Sequence, residues 1–274
     1  MGRSPVGDRS LRQSDGEVKR NGAGKLHLPT VTLVALTSVN VYETVRAMAY
    51  SMREIDFGDA VFISDRRPWY LPRGIRFAQI ERLDGIDAFN HACVYRLREF
   101  IRTEHMLLVH ADGFVVHPEC WDDRFLDYDY IGSPWPLPEN DYAYRDAAGE
   151  LSRVGNSVSI RSKRLLDYPS EHNLPWERDA DGYYNEDIFL CCTHKKEMEA
   201  AGLRWAPFEV ALDFGREKPL PENAGRDTFI FHKWWGENEK YPQFRAPYKR
   251  MKDCVRPLLF WRRTERWRKA HGME

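Results

Sequence analysis

The sequence predicts an α/β protein whose mostly parallel central sheet is flanked by helices. Residues 30–36 are a continuous β-prone run, as expected of a parallel strand that is buried on both faces. Residues 41–52 follow with apolar side chains at helical spacing, and a second β-prone run occupies residues 59–65. Because strand, helix and strand in this order form a βαβ unit, the two strands should be parallel.

The remaining chain continues to alternate between strand-like and helix-like segments. Strands are predicted at residues 75–80, 105–109, 114–116, 154–160, 205–212 and 229–232. Helices are predicted at residues 88–103, 161–166, 185–203 and 247–271. Residues 167–182 are polar and contain proline, which predicts a mobile loop.

The 274 residues suit one large α/β domain, which we place at residues 28–240. Residues 1–27 are polar and rich in glycine, serine and charge, so they are interpreted as a disordered tail. Residues 241–274 are interpreted as a basic, aromatic, helical tail. From Arg245 onward, ten lysines and arginines face three acids, a net charge of +7 that leaves about −8 on the rest. Such a tail suits an anionic membrane surface, and a packed helix with a solvated basic face is the alternative.

Composition excludes several classes of protein. The formal net charge of −1 gives no indication of nucleic-acid binding. The five cysteines are odd in number and match no zinc motif, which indicates reduced thiols in a cytosolic protein. There is neither a secretory leader nor an apolar run of the roughly 20 residues that span a bilayer. We therefore expect a cytoplasmic protein, with the basic tail as a candidate contact to the inner face of the membrane.

Asp112 is the first candidate site residue. It follows the apolar run 106–109, and open α/β sheets bind ligands at the carboxyl ends of their strands. His110 is two residues away and would face the same side of a regular strand, so the pair could hold a divalent cation. Gly113 would let the backbone approach a ligand closely. A plain Asp-Gly turn explains the same residues equally well.

Glu186 and Asp187 form an acidic pair at the predicted start of a helix. One of the two could take the proton from an attacking hydroxyl, as a general base does. Acids are also common in the first turn of a helix because they interact well with its dipole, and this alternative is the stronger one on local sequence alone.

Two further segments carry candidate ligand contacts. The small residues from Gly155 to Ser159 leave space for a sugar, and Asn156 and Ser157 could bond its hydroxyls, although a plain turn is the stronger explanation on composition alone. His232 ends a Phe-Ile-Phe strand and is either a satisfied, partly buried residue or a third cation ligand. Lys233, directly after it, is a candidate contact to an anionic donor.

The order of these segments resembles a family of bacterial and fungal proteins classed as glycosyltransferases. The resemblance covers about residues 28–232, and its most specific part is the run Asp-Tyr-Asp-Tyr-Ile-Gly at residues 127–132, followed by Pro134-Trp135. It also rests on the segments 31–34, 103–115, 154–162, 185–187 and 229–232.

This resemblance implies a GT-A-like fold that binds a nucleotide-diphospho-sugar. By that similarity Asp112 stands at the metal-binding acidic motif, Asp187 supplies the base of an inverting enzyme, and His232 reaches the metal or diphosphate. Donor contacts are implied at Thr37, Asn40 and Asp65, which end the first two strands.

The sequence departs from the family pattern at two places. His110 replaces the first aspartate of the usual GT-A motif, so either His110, Asp112 and His232 bind Mn²⁺ or Mg²⁺, or basic side chains neutralise the diphosphate without metal. Ser157 and Val158 stand where the family has two glycines, which adds side chains to the pocket.

The sequence thus predicts an inverting glycosyltransferase that moves a sugar from a nucleotide-sugar donor to a hydroxyl of a glycan or lipid-linked glycan acceptor in surface polysaccharide synthesis. The alternatives are a retaining enzyme of the same fold, a non-catalytic carbohydrate-binding or assembly protein, and a nucleotide-sugar hydrolase or nucleotidyltransferase. The absence of a Gly-rich phosphate loop weighs against P-loop versions of the last class.

Overall fold

The computed structural model describes residues 24–139, 143–179, 182 and 184–247. Its central sheet has six strands in the order β3-β2-β1-β4-β7-β6. These are β1 (Leu26–Leu36), β2 (Ile55–Ser64), β3 (Arg76–Gln79), β4 (His105–Leu108), β6 (Tyr130–Pro134) and β7 (Val154–Ser162). The pairs from β3 to β4 are parallel, and β7 is antiparallel to both of its neighbours. The predicted α/β class with a mostly parallel central sheet is therefore confirmed.

A second, three-stranded sheet has the order β5-β9-β8. Its strands are β5 (Gly113–Val115), β8 (Gly215–Arg216) and β9 (Ile230–His232). The described residues form six α-helices: α1 (Val41–Ser51), α2 (Ile86–Tyr95), α3 (Lys163–Glu171), α4 (Glu186–Ile188), α5 (Lys195–Ala200) and α6 (Phe208–Phe214). None of the helices in the described ranges is long and apolar enough to cross a membrane.

The first strand is the centre of the core. From Val31 to Leu36 every side chain of β1 is buried, because the strand has β2 and β4 as neighbours and packed side chains on both faces. Helix α1 covers one face with Val45 and Met48, which lie in the same apolar cluster as Leu33. This explains why four apolar residues, Leu33 to Leu36, follow one another in the strand without alternation.

Several predicted elements differ in the structure. The run 205–212 is not a strand: Trp205 makes only an isolated bridge to Tyr130, and α6 begins at Phe208. Val210, Ala211 and Phe214 are buried at helical spacing, a pattern too short to separate from a strand by periodicity.

The predicted helix 185–203 is interrupted. A π-helical turn, Phe189–Thr193, separates α4 from α5. The helix predicted from residue 161 begins two residues later, because Arg161 and Ser162 complete β7 and the Ser162 hydroxyl caps α3 by accepting from the Leu165 amide at 3.1 Å. Helix α3 therefore includes the first residues of the predicted loop 167–182.

The other boundaries shift slightly. Helix α2 ends at Tyr95, and a 3₁₀ turn, Leu97–Glu99, takes the place of its predicted continuation to residue 103. β1 begins at Leu26, inside the segment interpreted as a tail. Residues 1–23 of that tail and residues 248–274 of the basic tail lie outside the described residues. Four cysteines within the described ranges are free thiols, namely Cys93, Cys120, Cys191 and Cys192.

Close backbone packing explains the most specific motif of the sequence. A Cβ atom on Gly155 would lie 1.9 Å from the Trp135 ring, and one on Gly132 would lie 1.8 Å from the Gly155 carbonyl oxygen. The sequence predicts that Gly155 leaves space for a sugar, but the Trp135 ring fills that space. The run that ends in Pro134-Trp135 therefore packs closely against β7.

We expect Gly155→Ala to destabilise the protein by about 1–3 kcal/mol, the usual cost of overpacking. Urea denaturation followed by circular dichroism measures the change. In a Trp135→Leu background, which removes the ring, Gly155→Ala should cost clearly less. Equal costs in both backgrounds would contradict this account of Gly155.

Candidate active site

A cavity of about 460 Å³ lies at the carboxyl ends of β1 and β4. The chain leaves β1 toward β2 on one side, while β4 pairs with β1 on the other, so the strand order reverses here. This is the position at which open α/β sheets bind ligands. Nine predicted site residues line the cavity: Thr37, Asn40, His110, Asp112, Ser157, Glu186, Asp187, His232 and Lys233.

His110, Asp112 and His232 form a compact cluster whose candidate ligand atoms all lie within 4.8 Å of one another. The predicted geometry was wrong: β4 ends at Leu108, so His110 and Asp112 do not face one side of a strand. They lie in a tight turn in which the His110 amide donates to the Gly113 carbonyl at 2.7 Å. The turn and the ligand cluster are therefore the same feature rather than alternatives.

Pairing between β5 and β9 delivers His232 to this turn. Gly113 lies opposite His232 in the register, and the Lys233 amide donates to the Asp112 carbonyl at 2.8 Å. A Cβ atom on Gly113 would lie 2.9 Å from the His232 ring and 2.6 Å from Val158. The absence of a side chain at Gly113 thus lets His232 approach the turn. The sequence predicts that Gly113 lets a ligand approach, but Gly113 does not line the cavity.

The cluster has a mixed charge. Burial and the adjacent His232 lower the pKa of His110 to about 3, so its imidazole is neutral at physiological pH. Burial alone would raise the pKa of Asp112, but the charge of His232 and a 2.7 Å hydrogen bond from the Lys233 ammonium group outweigh it and lower that pKa. Asp112 is therefore a carboxylate at neutral pH.

These three residues fit a divalent cation. Imidazole nitrogens and a carboxylate oxygen are common ligands of first-row metals. Neither ring nitrogen of the buried His232 has a hydrogen-bond partner within the described ranges, although Asp112 and Glu217 oxygens lie 3.8 and 3.5 Å away. A cation held here would give His232 the missing interaction.

The acidic pair separates into two environments. Glu186 is buried, and its Oε1 atom lies 3.3 Å from the guanidinium of Arg161, which is also fully buried. Arg161 also donates to the Ser159 hydroxyl at 3.0 Å and to the Ser157 carbonyl at 3.3 Å. The interaction ties α4 to β7, and it leaves the neighbouring Asp187 on the cavity wall.

Asp187 has a strongly perturbed acidity. Burial and the charge of Glu186 raise its pKa from an ordinary 3.8 to about 8. A carboxyl group of this kind can hold or release a proton near neutral pH, which is what general acid–base catalysis requires. Titratable groups with such shifts are enriched at functional sites.

Asn156 and Ser157 have different surroundings. The Asn156 side-chain amide donates to Glu217 at 2.8 Å and its oxygen accepts from the Val158 amide at 3.0 Å, and the residue does not line the cavity. The Ser157 hydroxyl lies 3.2 Å from Nε2 of His110, at the cavity wall. The structure therefore brings Ser157, but not Asn156, to the cavity surface.

The candidate donor contacts after β1 and β2 lie in different places relative to the cavity. Thr37 and Asn40 border the cavity between β1 and α1. Asp65 follows β2 but does not line the cavity, and its carboxylate accepts a 3.4 Å hydrogen bond from Ser64. Asn40 has a φ of 51° and Lys233 a φ of 65°, a left-handed conformation that is uncommon for residues other than glycine.

Two residues at this site were not predicted. The Glu217 carboxylate accepts a hydrogen bond from Asn156 and contacts His232, but Glu217 follows the two-residue strand β8, which no sequence pattern predicts. Arg161 was assigned to a helix start. Its position after the β-prone run 158–160 was the signal that would have placed it inside a strand.

Removing Arg161 should leave Glu186 as an uncompensated buried charge. We expect Arg161→Met to lower the free energy of unfolding by about 3–5 kcal/mol. The double variant Arg161→Met/Glu186→Met should recover a large part of this loss, because neither charge is then buried alone. Chemical denaturation of both variants measures the effect, and equal instability of the two would contradict it.

Asp187 should make stability depend on pH. Between pH 3.8 and about 8 the folded chain holds a proton that the unfolded chain has lost, so stability falls as the pH rises through this interval. The slope from this group is at most about 1.4 kcal/mol per pH unit. Asp187→Asn should flatten the profile, measured by denaturation at pH 5, 6, 7 and 8. An unchanged slope would show that Asp187 does not carry it.

Comparisons with solved structures find glycosyltransferases. The galactosyltransferase LgtC, crystallised with donor and acceptor sugar analogues, is 15% identical, with a TM-score of 0.48 over 76% of this chain and 87% of that chain. A glycosyltransferase involved in glycosylation of the major capsid of PBCV-1 is 12% identical, with a TM-score of 0.43 over 77% and 96%. S. aureus TarS in complex with UDP-GlcNAc is 11% identical, with a TM-score of 0.32 over 57% and 50%.

No curated protein matches this chain. A family model described as "Protein of unknown function (DUF5672)" matches residues 75–232, which is more than half of the chain. The matched region runs from the start of the third strand of the central sheet to His232, and so includes the ligand cluster and the acidic pair. The chain belongs to the DUF5672 family.

Proposed function

We propose that this protein is a glycosyltransferase that moves a sugar from a nucleotide-sugar donor to a hydroxyl of a glycan or lipid-linked glycan acceptor. One observation carries the proposal: a single cavity at the sheet's switch point holds a His-Asp-His cluster, a lysine and a carboxyl group with a pKa near 8. The cluster and the lysine suit the binding of a leaving diphosphate, and the carboxyl group suits a general base that takes the proton of the acceptor hydroxyl. Each of the three is common in proteins, but their convergence favours this chemistry.

The diphosphate of the donor is proposed to lie beside Asp112 and Lys233. His110, Asp112 and His232 would hold a Mn²⁺ or Mg²⁺ ion, whose chemistry is to neutralise the charge that develops on the leaving diphosphate. The Lys233 ammonium group lies next to this cluster and offers a further positive charge. Thr37, Asn40 and Ser157 border the same cavity and are the proposed hydrogen-bonding contacts to the donor.

Asp187 is the proposed general base. It would accept the proton of the acceptor hydroxyl, whose oxygen then attacks the anomeric carbon with inversion. Glu186 is held by Arg161 and is not free for this role, but its negative charge helps to raise the pKa of Asp187. A higher pKa makes Asp187 a stronger base once it is ionised.

The proposal includes a role in surface polysaccharide synthesis, at the cytoplasmic face of the membrane. The basic tail would supply the contact to anionic lipid, and from residue 248 onward it lies outside the described residues. Asp65, Gly113 and Asn156 do not line the cavity, so the donor contacts proposed above leave them out.

Nucleotide binding is the first test. Calorimetric titration with UDP, GDP, dTDP and CMP, with and without Mn²⁺, should show one preferred nucleotide whose binding the metal tightens. Asp112→Asn should weaken that binding about 10–100-fold, as expected for loss of one charge-assisted interaction. The control variant Asp56→Asn, at the amino end of β2 and outside the cavity, should leave nucleotide binding unchanged. Failure to bind any nucleotide would favour a non-catalytic carbohydrate-binding protein.

Replacing the proposed base should stop transfer but not donor binding. We expect Asp187→Asn to lower the transfer rate about 10²–10⁴-fold while the nucleotide affinity stays within about twofold of the wild type. In the wild type, kcat/KM should rise as the pH rises through about 8, because only the ionised carboxylate accepts a proton. Retained turnover in Asp187→Asn would remove Asp187 from the role, and retention of the donor anomer, seen by NMR, would indicate a retaining enzyme.

A further inference from the structure

A second cavity, of about 370 Å³, lies beside α1 and is lined by arginine and aromatic side chains. Arg46 comes from α1, whereas Arg66, Arg67, Trp69 and Tyr70 come from the segment that follows β2. The volume is within the range of sites for small molecules. None of these residues belongs to the candidate active site.

The three arginines carry positive charge that the described part of the chain does not neutralise. Within the described residues, no carboxylate oxygen lies within the 4.0 Å ion-pair distance of Arg46, Arg66 or Arg67. Asp65 is the acid nearest in sequence to Arg66 and Arg67, and its carboxylate accepts a hydrogen bond from the Ser64 hydroxyl instead. Three guanidinium groups beside one cavity therefore make it a site for an anion.

Aromatic rings hold two of these guanidinium groups without cancelling their charge. The guanidinium carbon of Arg46 lies 5.6 Å from the centre of the Phe244 ring, and that of Arg67 lies 6.0 Å from the centre of Phe77. Such contacts orient an arginine and leave its N–H groups free for a ligand. The planar N–H groups of arginine match the oxygens of a phosphate.

Trp69 and Tyr70 provide an exposed aromatic surface at the same cavity. Trp69 is 92% exposed and Tyr70 is 48% exposed, and their ring centroids are 5.8 Å apart. An indole ring in this position is unusual for a side chain with no ligand, because burial of its apolar surface would be favourable. The apolar C–H face of a sugar ring can stack on such a surface.

We propose that this second cavity binds the phosphate of a sugar-phosphate acceptor, with the sugar ring stacked on Trp69. The proposal rests on the proposed transferase function, for which it specifies the acceptor class. Both cavities border α1: Asn40 and Thr44 line the first, whereas Val41, Val45 and Arg46 line the second. A helix is about 10 Å wide, so an acceptor of a few sugar units, anchored by its phosphate at the second cavity, can extend to the first.

The test compares ligands that differ only in phosphate. Calorimetry should detect binding of α-D-glucose 1-phosphate to the full chain, with weaker binding of inorganic phosphate and none of glucose. Arg66→Gln and Arg67→Gln should each weaken binding of the sugar phosphate about tenfold, as expected for loss of a charge-assisted contact. Arg73→Gln removes the same charge from an exposed residue of the same loop, outside the cavity, and should change the affinity by less than about twofold.

A second variant tests the stacking. Trp69→Ala should weaken binding of glucose 1-phosphate but leave the affinity for inorganic phosphate unchanged. Equal affinities of wild type, Arg66→Gln and Arg67→Gln, or no binding of glucose 1-phosphate at all, would overturn the proposal. So would a loss of nucleotide binding in the two arginine variants while glucose 1-phosphate still binds them, because the arginines would then belong to the donor site.

Two sources of the phosphate ester are distinguished by sedimentation with phosphatidylcholine vesicles. If the acceptor is lipid-linked, the chain should bind vesicles that contain a polyprenyl phosphate sugar, and Arg66→Gln should weaken that binding. If the acceptor is soluble, the chain should bind glucose 1-phosphate and not these vesicles. Binding only to phosphatidylglycerol vesicles, without either sugar phosphate, would overturn the proposal in favour of a membrane-charge contact.

The outcome is separable from that of the transferase proposal. Asp112→Asn should weaken nucleotide binding and leave glucose 1-phosphate binding unchanged. If no nucleotide binds while Arg66→Gln still weakens glucose 1-phosphate, the second cavity is a sugar-phosphate site and the transferase proposal fails. If Asp112→Asn rather than Arg66→Gln removes glucose 1-phosphate, the ligand binds in the first cavity and the second-cavity proposal fails.

Discussion

The buried ion pair between Arg161 and Glu186 is the interaction on which the candidate active site depends. Two charges inside a core are costly unless each has a partner, and here Arg161 also donates to Ser157 and Ser159. The pair fixes α4 against β7 and directs Asp187 to the cavity. It also separates the two acids: Glu186 interacts with a guanidinium, whereas Asp187 retains a high pKa because of burial and the charge of Glu186. The ion pair thus positions the proposed base, whereas burial and the charge of Glu186 raise its pKa.

The second constraint is the contact between the two sheets. The central sheet supplies the turn after β4, and the small sheet brings His232 opposite Gly113. Because Gly113 has no side chain, the His232 ring can approach the turn closely. Lys233 follows in a left-handed conformation and pairs with Asp112. The candidate cation cluster and its neighbouring lysine therefore bring together distant parts of the chain. Asp112 is separated from His232 by 120 residues and from Lys233 by 121 residues.

The two cavities are complementary in their chemistry. The first combines a candidate cation cluster with an acid–base group, whereas the second has excess positive charge and exposed aromatic rings. Helix α1 borders both and is anchored by the core contacts of Val45 and Met48. Asn40, the N-cap residue just before the helix, has a positive φ, and the chain turns there from β1 into the helix at the edge of the first cavity. A ligand that spans both cavities would thus contact a rigid part of the fold.

The sequence alone predicts the α/β class, the buried first strand, β9 and nine candidate residues that line the cavity. The strands follow from local apolar runs, and the candidates come from polar residues near strand and helix ends or, as for Thr37 and Asn40, from the family resemblance. It could not assign the segment 205–212, since a short apolar run fits a strand or a helix until its packing is known. Nor could it show that Arg161 pairs with Glu186, that Trp135 fills the space beside Gly155, or that Asn156 is bound to Glu217. Tertiary structure decided these points, because each depends on which distant segments come into contact, and local sequence carries no record of that.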